Sequence, residues 1–252
     1  MRRPRPALPG AAPGRAARAL ALVLVLAGLV ASGPATAAAD TAASADVSEA
    51  ATPANHRAAK VLERLESIAA NLTETRYQHR TKIRSREGIY LWDCSAMAAY
   101  IIAKVAPTAR KALTRERPVA RDFFQVIRDA PTRGHRDGWR RLPTITDVRP
   151  GDVFAWKRPK DFPSKNTGHV GFVLEAPTPY PEVPGAYLVR IADATSLPHQ
   201  DDTRERDGDG GFGHGTILFM TDERGQGIAY GWFGARSRGV IETPIAFGRL
   251  IR

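Results

Sequence analysis

The hydrophobic period of this chain changes near residue 150, and that change limits the folds open to it. Before it, apolar residues recur at helical spacing. Val61, Leu65, Ile68 and Leu72 share one face of a segment running from His56 to Leu72. A second helix is predicted from Asp93, a good N-cap, through Cys94, Met97, Ala98, Ile101 and Val105, until Pro107 stops it. Residues 107–150 are charged, with a short helix expected over Arg121–Arg128 and turns around Gly134 and Gly138. After the Pro150-Gly151 turn the pattern becomes strand-like: VFAW (153–156), HVGFVLE (169–175), YLVRIAD (187–193), the pair GTILFM and IAYGWF, and finally PIAFGRLI. Helices first and a meander of strands afterwards predict an α+β fold with an antiparallel sheet, not a parallel α/β fold.

The amino end reads as an address and not as part of that fold. A basic stretch, MRRPRPALPGAAPGRAARA, precedes the apolar run LALVLVLAGLVA and then small residues ending in ATAAA. This is the layout of a secretory signal peptide over residues 1–39, with an uncleaved N-terminal anchor as the alternative. The run is too short to span a bilayer comfortably, and no second apolar run follows it. An Ala/Ser/Thr/Pro-rich spacer is expected over 40–54, leaving a single domain over 55–252. The leader contains Arg2, Arg3, Arg5, Arg15 and Arg18 and no acid, so its removal takes the net charge from +11 to about +6. No compact Lys/Arg run with interleaved aromatics marks a nucleic-acid surface. The expected product is an exported bacterial monomer, secreted or periplasmic, without stable membrane insertion.

Export normally accompanies paired cysteines, yet Cys94 is alone in the sequence and has no partner for an internal disulfide. Its place one residue after the N-cap Asp93 favours a thiolate, because the unpaired N–H groups and the positive end of the helix dipole lie there. The same N–H groups suit an oxyanion formed when the sulfur attacks a carbonyl. A free thiol titrates near ~8.5, so a base must stand close by. His169 opens a strand directly after Thr167-Gly168 and is the candidate. The loop between its strand and the next is centred near residue 181, a register that sets His169 opposite Asp193. A slip of one residue would turn the two to opposite faces. On that register Asp193 orients the imidazole and stabilises its protonated form, as the third member of a triad does.

These residues resemble a known family. YLWDCSAMAAYI is similar to the DCSG helix start of NlpC/P60 peptidases, VRPGDVFAW to their PGD strand entry, and TGHVGFVLE to the histidine strand that follows. The three pieces stand in family order and cover roughly residues 75–195. The resemblance implies a papain-like α+β core, with Cys94 as nucleophile, His169 as base and Asp193 as orienting residue. It implies cleavage of peptide or amide bonds, most often in the peptide stems of peptidoglycan, with no cofactor. Tyr77 matches the tyrosine that lines the family cleft, with Tyr90 competing, and Asp93 and Thr167 are further candidates for substrate contact. Ala96 replaces the glycine after DCS, the loop 157–168 is long and basic, and the tail from about 200 lies outside the minimal family core.

The remaining candidates read as structural. His56, His79 and His135 look like surface or packing residues, and His199 and His214 flank a Gly/Asp-rich loop, where a loop role is simpler than lining a cleft. No HExxH, CxxC or regular histidine spacing argues for a metal. Asp207-Gly208-Asp209-Gly210 faintly matches a calcium loop, but Leu218 stands where its bidentate acid is required. Two rival readings remain open. One is a CHAP-type amidase or an acyltransferase on a similar core; the other is a wall-binding protein without catalysis.

Overall fold

The computed structural model describes residues 51–234, 237 and 239–252. The expected leader over 1–39 and most of the spacer over 40–54 lie outside the described residues. Helix α1 (His56–Ala70) is capped by Asn55, whose side chain accepts the Ala58 N–H at 2.9 Å. It buries Ala58, Val61, Leu65 and Ile68, the face its 3.6-residue period presents. Leu72 falls just beyond the helix and packs against the same core.

Three short strands come next: β1 (Glu74–Tyr77), β2 (Lys82–Arg84) and β3 (Ile89–Trp92). They form a small sheet of order β1-β3-β2, with β1 and β3 parallel. This sheet delivers the chain into α2 (Cys94–Val105). Pro107 ends that helix as expected but also opens another, α3 (Pro107–Lys111), where it occupies the first turn and its missing N–H is harmless. Helix α4 (Ala120–Asp129) follows, with Phe123, Phe124 and Ile127 inward.

The rest of the chain is strand: β4 (Trp139–Leu142), β5 (Val153–Lys157), β6 (Gly168–Val173), β7 (Thr178–Pro179), β8 (Ala186–Thr195), β9 (Gly211–Thr221), β10 (Gly227–Gly231), β11 (Val240–Glu242) and β12 (Ile245–Leu250). They make one nine-stranded sheet of order β11-β10-β9-β8-β6-β5-β12-β4, with β7 paired to β8. Every pairing within it is antiparallel. The fold is therefore α+β, with a few helices and a large antiparallel sheet. The tail is no appendage, because β12 lies between β5 and β4.

Side-chain alternation divides the core between the two faces of the sheet. Val153, Ala155, Val170, Phe172, Ala192 and Ala246 pack against the helices. Phe154, Trp156, Val173, Ile191, Phe219 and Phe247 form a second cluster. The sheet curls until β10 lies against β12. Gly227 makes that approach possible, since a Cβ there would meet Ile245 at 2.8 Å.

Candidate functional site

The site begins with the helix that carries the thiol. Asp93 caps α2 by accepting the Ala96 N–H at 2.8 Å, and its backbone carbonyl accepts the Met97 N–H at 3.0 Å. The N–H groups of Cys94 and Ser95 are left without intrahelical partners at the helix tip. The other Asp93 oxygen lies 3.1 Å from Nδ1 of His79, so this carboxylate serves the cap and a surface histidine. Cys94 itself is only 5% exposed.

His169 is the second residue of β6 and is buried. Its Nε2 lies 2.6 Å from Oδ2 of Asp193, and the ring is electrostatically coupled to Cys94. Burial alone would lower the pKa of His169. The charge of Cys94 and the hydrogen bonds to Asp193 and Cys94 overcome that and push it up to about 10. The ring is packed by Trp156 at 5.0 Å and Trp232 at 5.4 Å between centroids.

The hairpin register is not the one expected. Strands β6 and β8 pair Phe172 with Ala192 and Val173 with Ile191, two residues away from a direct His169–Asp193 opposition. A shift of two preserves the face, so Asp193 becomes a diagonal neighbour and still reaches the imidazole.

Asp193 is fully buried and held on both oxygens. Arg204 donates from Nη2 to Oδ1 and, at 2.7 Å, to the Asp193 carbonyl; His199 Nε2 lies 2.9 Å from Oδ2. Burial opposes its ionisation, but Arg204, His199 and the hydrogen bonds from both imidazoles hold the carboxyl well below its ordinary range. Asp202 completes the cluster, accepting from Arg204 Nη1 at 2.6 Å and from the His199 N–H at 2.7 Å.

His199, Asp202 and Arg204 escaped the sequence reading, and the loop role given to His199 is corrected here: its ring is wholly buried against the site. A signal was present in GFGHG. Gly211, Gly213 and Gly215 recur with period two on one face of β9. Cβ atoms at Gly213 and Gly215 would collide with Arg204 and with Asp202 and His199, at 2.6–2.7 Å. Glycines at that spacing in a strand mark another segment lying on the backbone.

A cleft of about 580 Å³ opens beside the imidazole, lined by Tyr77, Trp156, His169, Thr195, Tyr230 and Trp232 among others. The Tyr77 hydroxyl is pushed above its ordinary range by burial first and then by the charges of Cys94, Asp93 and Asp193. It therefore stays a hydrogen-bond donor at the cleft. Tyr90 does not compete for this place: it is 3% exposed and packs at a tilt against Trp92 in the core. Thr167 sits between two residues that line the cleft. Its carbonyl accepts the Arg158 N–H, and the cleft wall there is made by Asn166 and Gly168.

No protein-family model matches the chain, and no solved structure matches it. A relative exists among giant viruses. An uncharacterized protein of Acanthamoeba polyphaga mimivirus is 29% identical over an alignment covering 74% of this chain and 92% of the viral protein.

His169, Asp193 and His199 also bring three potential metal-ligand atoms together. Their spacing is that of hydrogen bonds. A tetrahedral zinc with ~2.0 Å bonds keeps its ligand atoms ~3.3 Å apart, whereas both imidazole nitrogens here crowd a single carboxylate oxygen at 2.6 and 2.9 Å. The arrangement suits proton transfer better than metal binding.

Proposed function

We propose that the protein is an exported cysteine hydrolase of the NlpC/P60 type, built on a papain-like core. Its substrate is a peptide or amide bond in the peptide stems of cell-wall peptidoglycan. The observation that carries the reading is the buried Cys94 thiol at a helix tip, paired with His169, whose far nitrogen rests on Asp193. The Cys94 thiolate attacks the amide carbon, and the carbonyl electron pair moves to oxygen, where the Cys94 and Ser95 N–H groups receive it. His169 gives its Nδ1 proton to the leaving amine as the C–N bond breaks, forming a thioester. Water then attacks the thioester, His169 takes its proton, and the C–S bond breaks to restore the thiolate–imidazolium pair. Asp193 stays ionised throughout and holds the imidazolium.

Digestion of purified peptidoglycan, followed by mass analysis of released muropeptides, tests the reading. Wild type releases new products and Cys94→Ala releases none; identical profiles would end it. Adding a primary amine separates the acyltransferase alternative, which yields an amide of the added amine in place of a free acid. A wall-binding protein without catalysis sediments with the polymer and releases nothing.

A further inference from the structure

We propose that His199 is a positioning residue: it fixes the Asp193 carboxylate for His169 and ties it to the cleft wall at Trp232. The proposal builds on the role given above to the Cys94–His169–Asp193 set. His199 Nε2 lies 2.9 Å from Oδ2 of Asp193 and Nδ1 lies 3.0 Å from the Trp232 carbonyl. Each ring nitrogen therefore faces an oxygen that accepts hydrogen bonds, one on the carboxylate and one on the backbone. The ring also stacks on the Trp232 indole, with centroids 4.1 Å apart. Trp232 in turn lines the cleft and contacts the His169 ring. One buried imidazole thus joins the triad carboxylate to the wall on which a substrate would rest.

The surroundings are built to hold it. Gly215 on β9 leaves room for the His199 Cβ, and Gly234 leaves room for its backbone. The charged and titratable groups facing this region are Asp193 on β8, Asp202 and Arg204 on its own loop, His169 on β6 and His214 on β9. Burial, followed by Arg190 and Arg204, disfavours the charged form of His214. Arg204 grips Oδ1 of Asp193 and His199 grips Oδ2, so the carboxylate cannot turn away from His169. Without His199 only the Arg204 side is fixed.

Alkylation of Cys94 by iodoacetamide in the folded full-length chain, followed from roughly pH 5 to 9, reads this without a substrate. His199→Ala slows alkylation near neutral pH about tenfold and moves the acid-side half-point up by about one unit, because His169 loses its fixed acceptor. His199→Gln keeps an N–H toward Asp193 and recovers the rate to within about threefold. Near-UV circular dichroism checks that each variant is folded. An alanine profile that overlies wild type overturns the proposal, as do alanine and glutamine variants slowed equally. Should the alanine variant not fold, the glutamine variant decides alone: a wild-type-like profile supports the proposal, and a tenfold loss overturns it. The hydrolase reading fails separately, since alkylation reports the sulfur–imidazole pair whether or not peptidoglycan is cut.

Discussion

Asp193 concentrates the chemistry of this protein in one carboxylate. It is fully buried and in hydrogen-bond contact with His169, His199 and Arg204. Asp193→Asn keeps the shape and removes the charge, leaving Arg204 Nη2 and the His169 ring facing a neutral amide while Arg204 Nη1 keeps its pair with Asp202. A broken buried pair of this kind costs about 3–5 kcal/mol, and urea unfolding measures it; a loss under about 1 kcal/mol would show that the cluster is far better hydrated than it looks. At this scale the sequence was informative where residue type and position were both restrictive. A lone cysteine behind a good N-cap, a histidine opening a strand and an aspartate one hairpin later left few other assignments. His199 and Arg204 were opaque because their partners come through a loop folded across β9, and no periodicity links a loop to the strand beneath it. Period-two glycines were the trace it left.

At the scale of elements, β12 shows what local pattern leaves out. PIAFGRLI reads correctly as a strand, yet nothing in it says that it inserts between β5 and β4. Phe247, 2% exposed, faces the second core cluster from that strand. Phe247→Ala is expected to cost about 3–5 kcal/mol, measured as a lowered urea midpoint at unchanged slope. A substitution in a dispensable tail would leave the midpoint where it was. Helices α1 and α2 were legible from their 3.6-residue periods, and α4 was expected only as a short helix over Arg121–Arg128. Strands β1–β3 were not: they are three or four residues long, β1 and β2 bury no residue, and β3 buries three in a row without alternation. Strand β4 buries only its two ends, a pattern without the alternation that identifies a strand.

For the molecule as a whole, the buried cluster links stability to pH. The folded pKa of His169 is raised from its ordinary 6.5 to about 10, so its contribution is complete below about 6.5 and lost as pH rises through about 10. Asp193 is lowered from 3.8, so its contribution is present above 3.8 and lost as pH falls through the native value. A plot of urea midpoint against pH should decline at both ends, with the acid limb weakened in Asp193→Asn; an unchanged acid limb in that variant would assign acid sensitivity to other carboxylates. The α+β class and the antiparallel sheet followed from the change of period near residue 150. The strand order did not, because it depends on contacts far apart in sequence. The central claim is that the Cys94 sulfur and the His169 ring form one charge-coupled pair, and the titration of the His169 ring by NMR tests it most directly. The ring should stay protonated to about pH 10 in wild type, and Cys94→Ala should titrate at clearly lower pH. Superimposable titration curves for the two proteins would contradict the account.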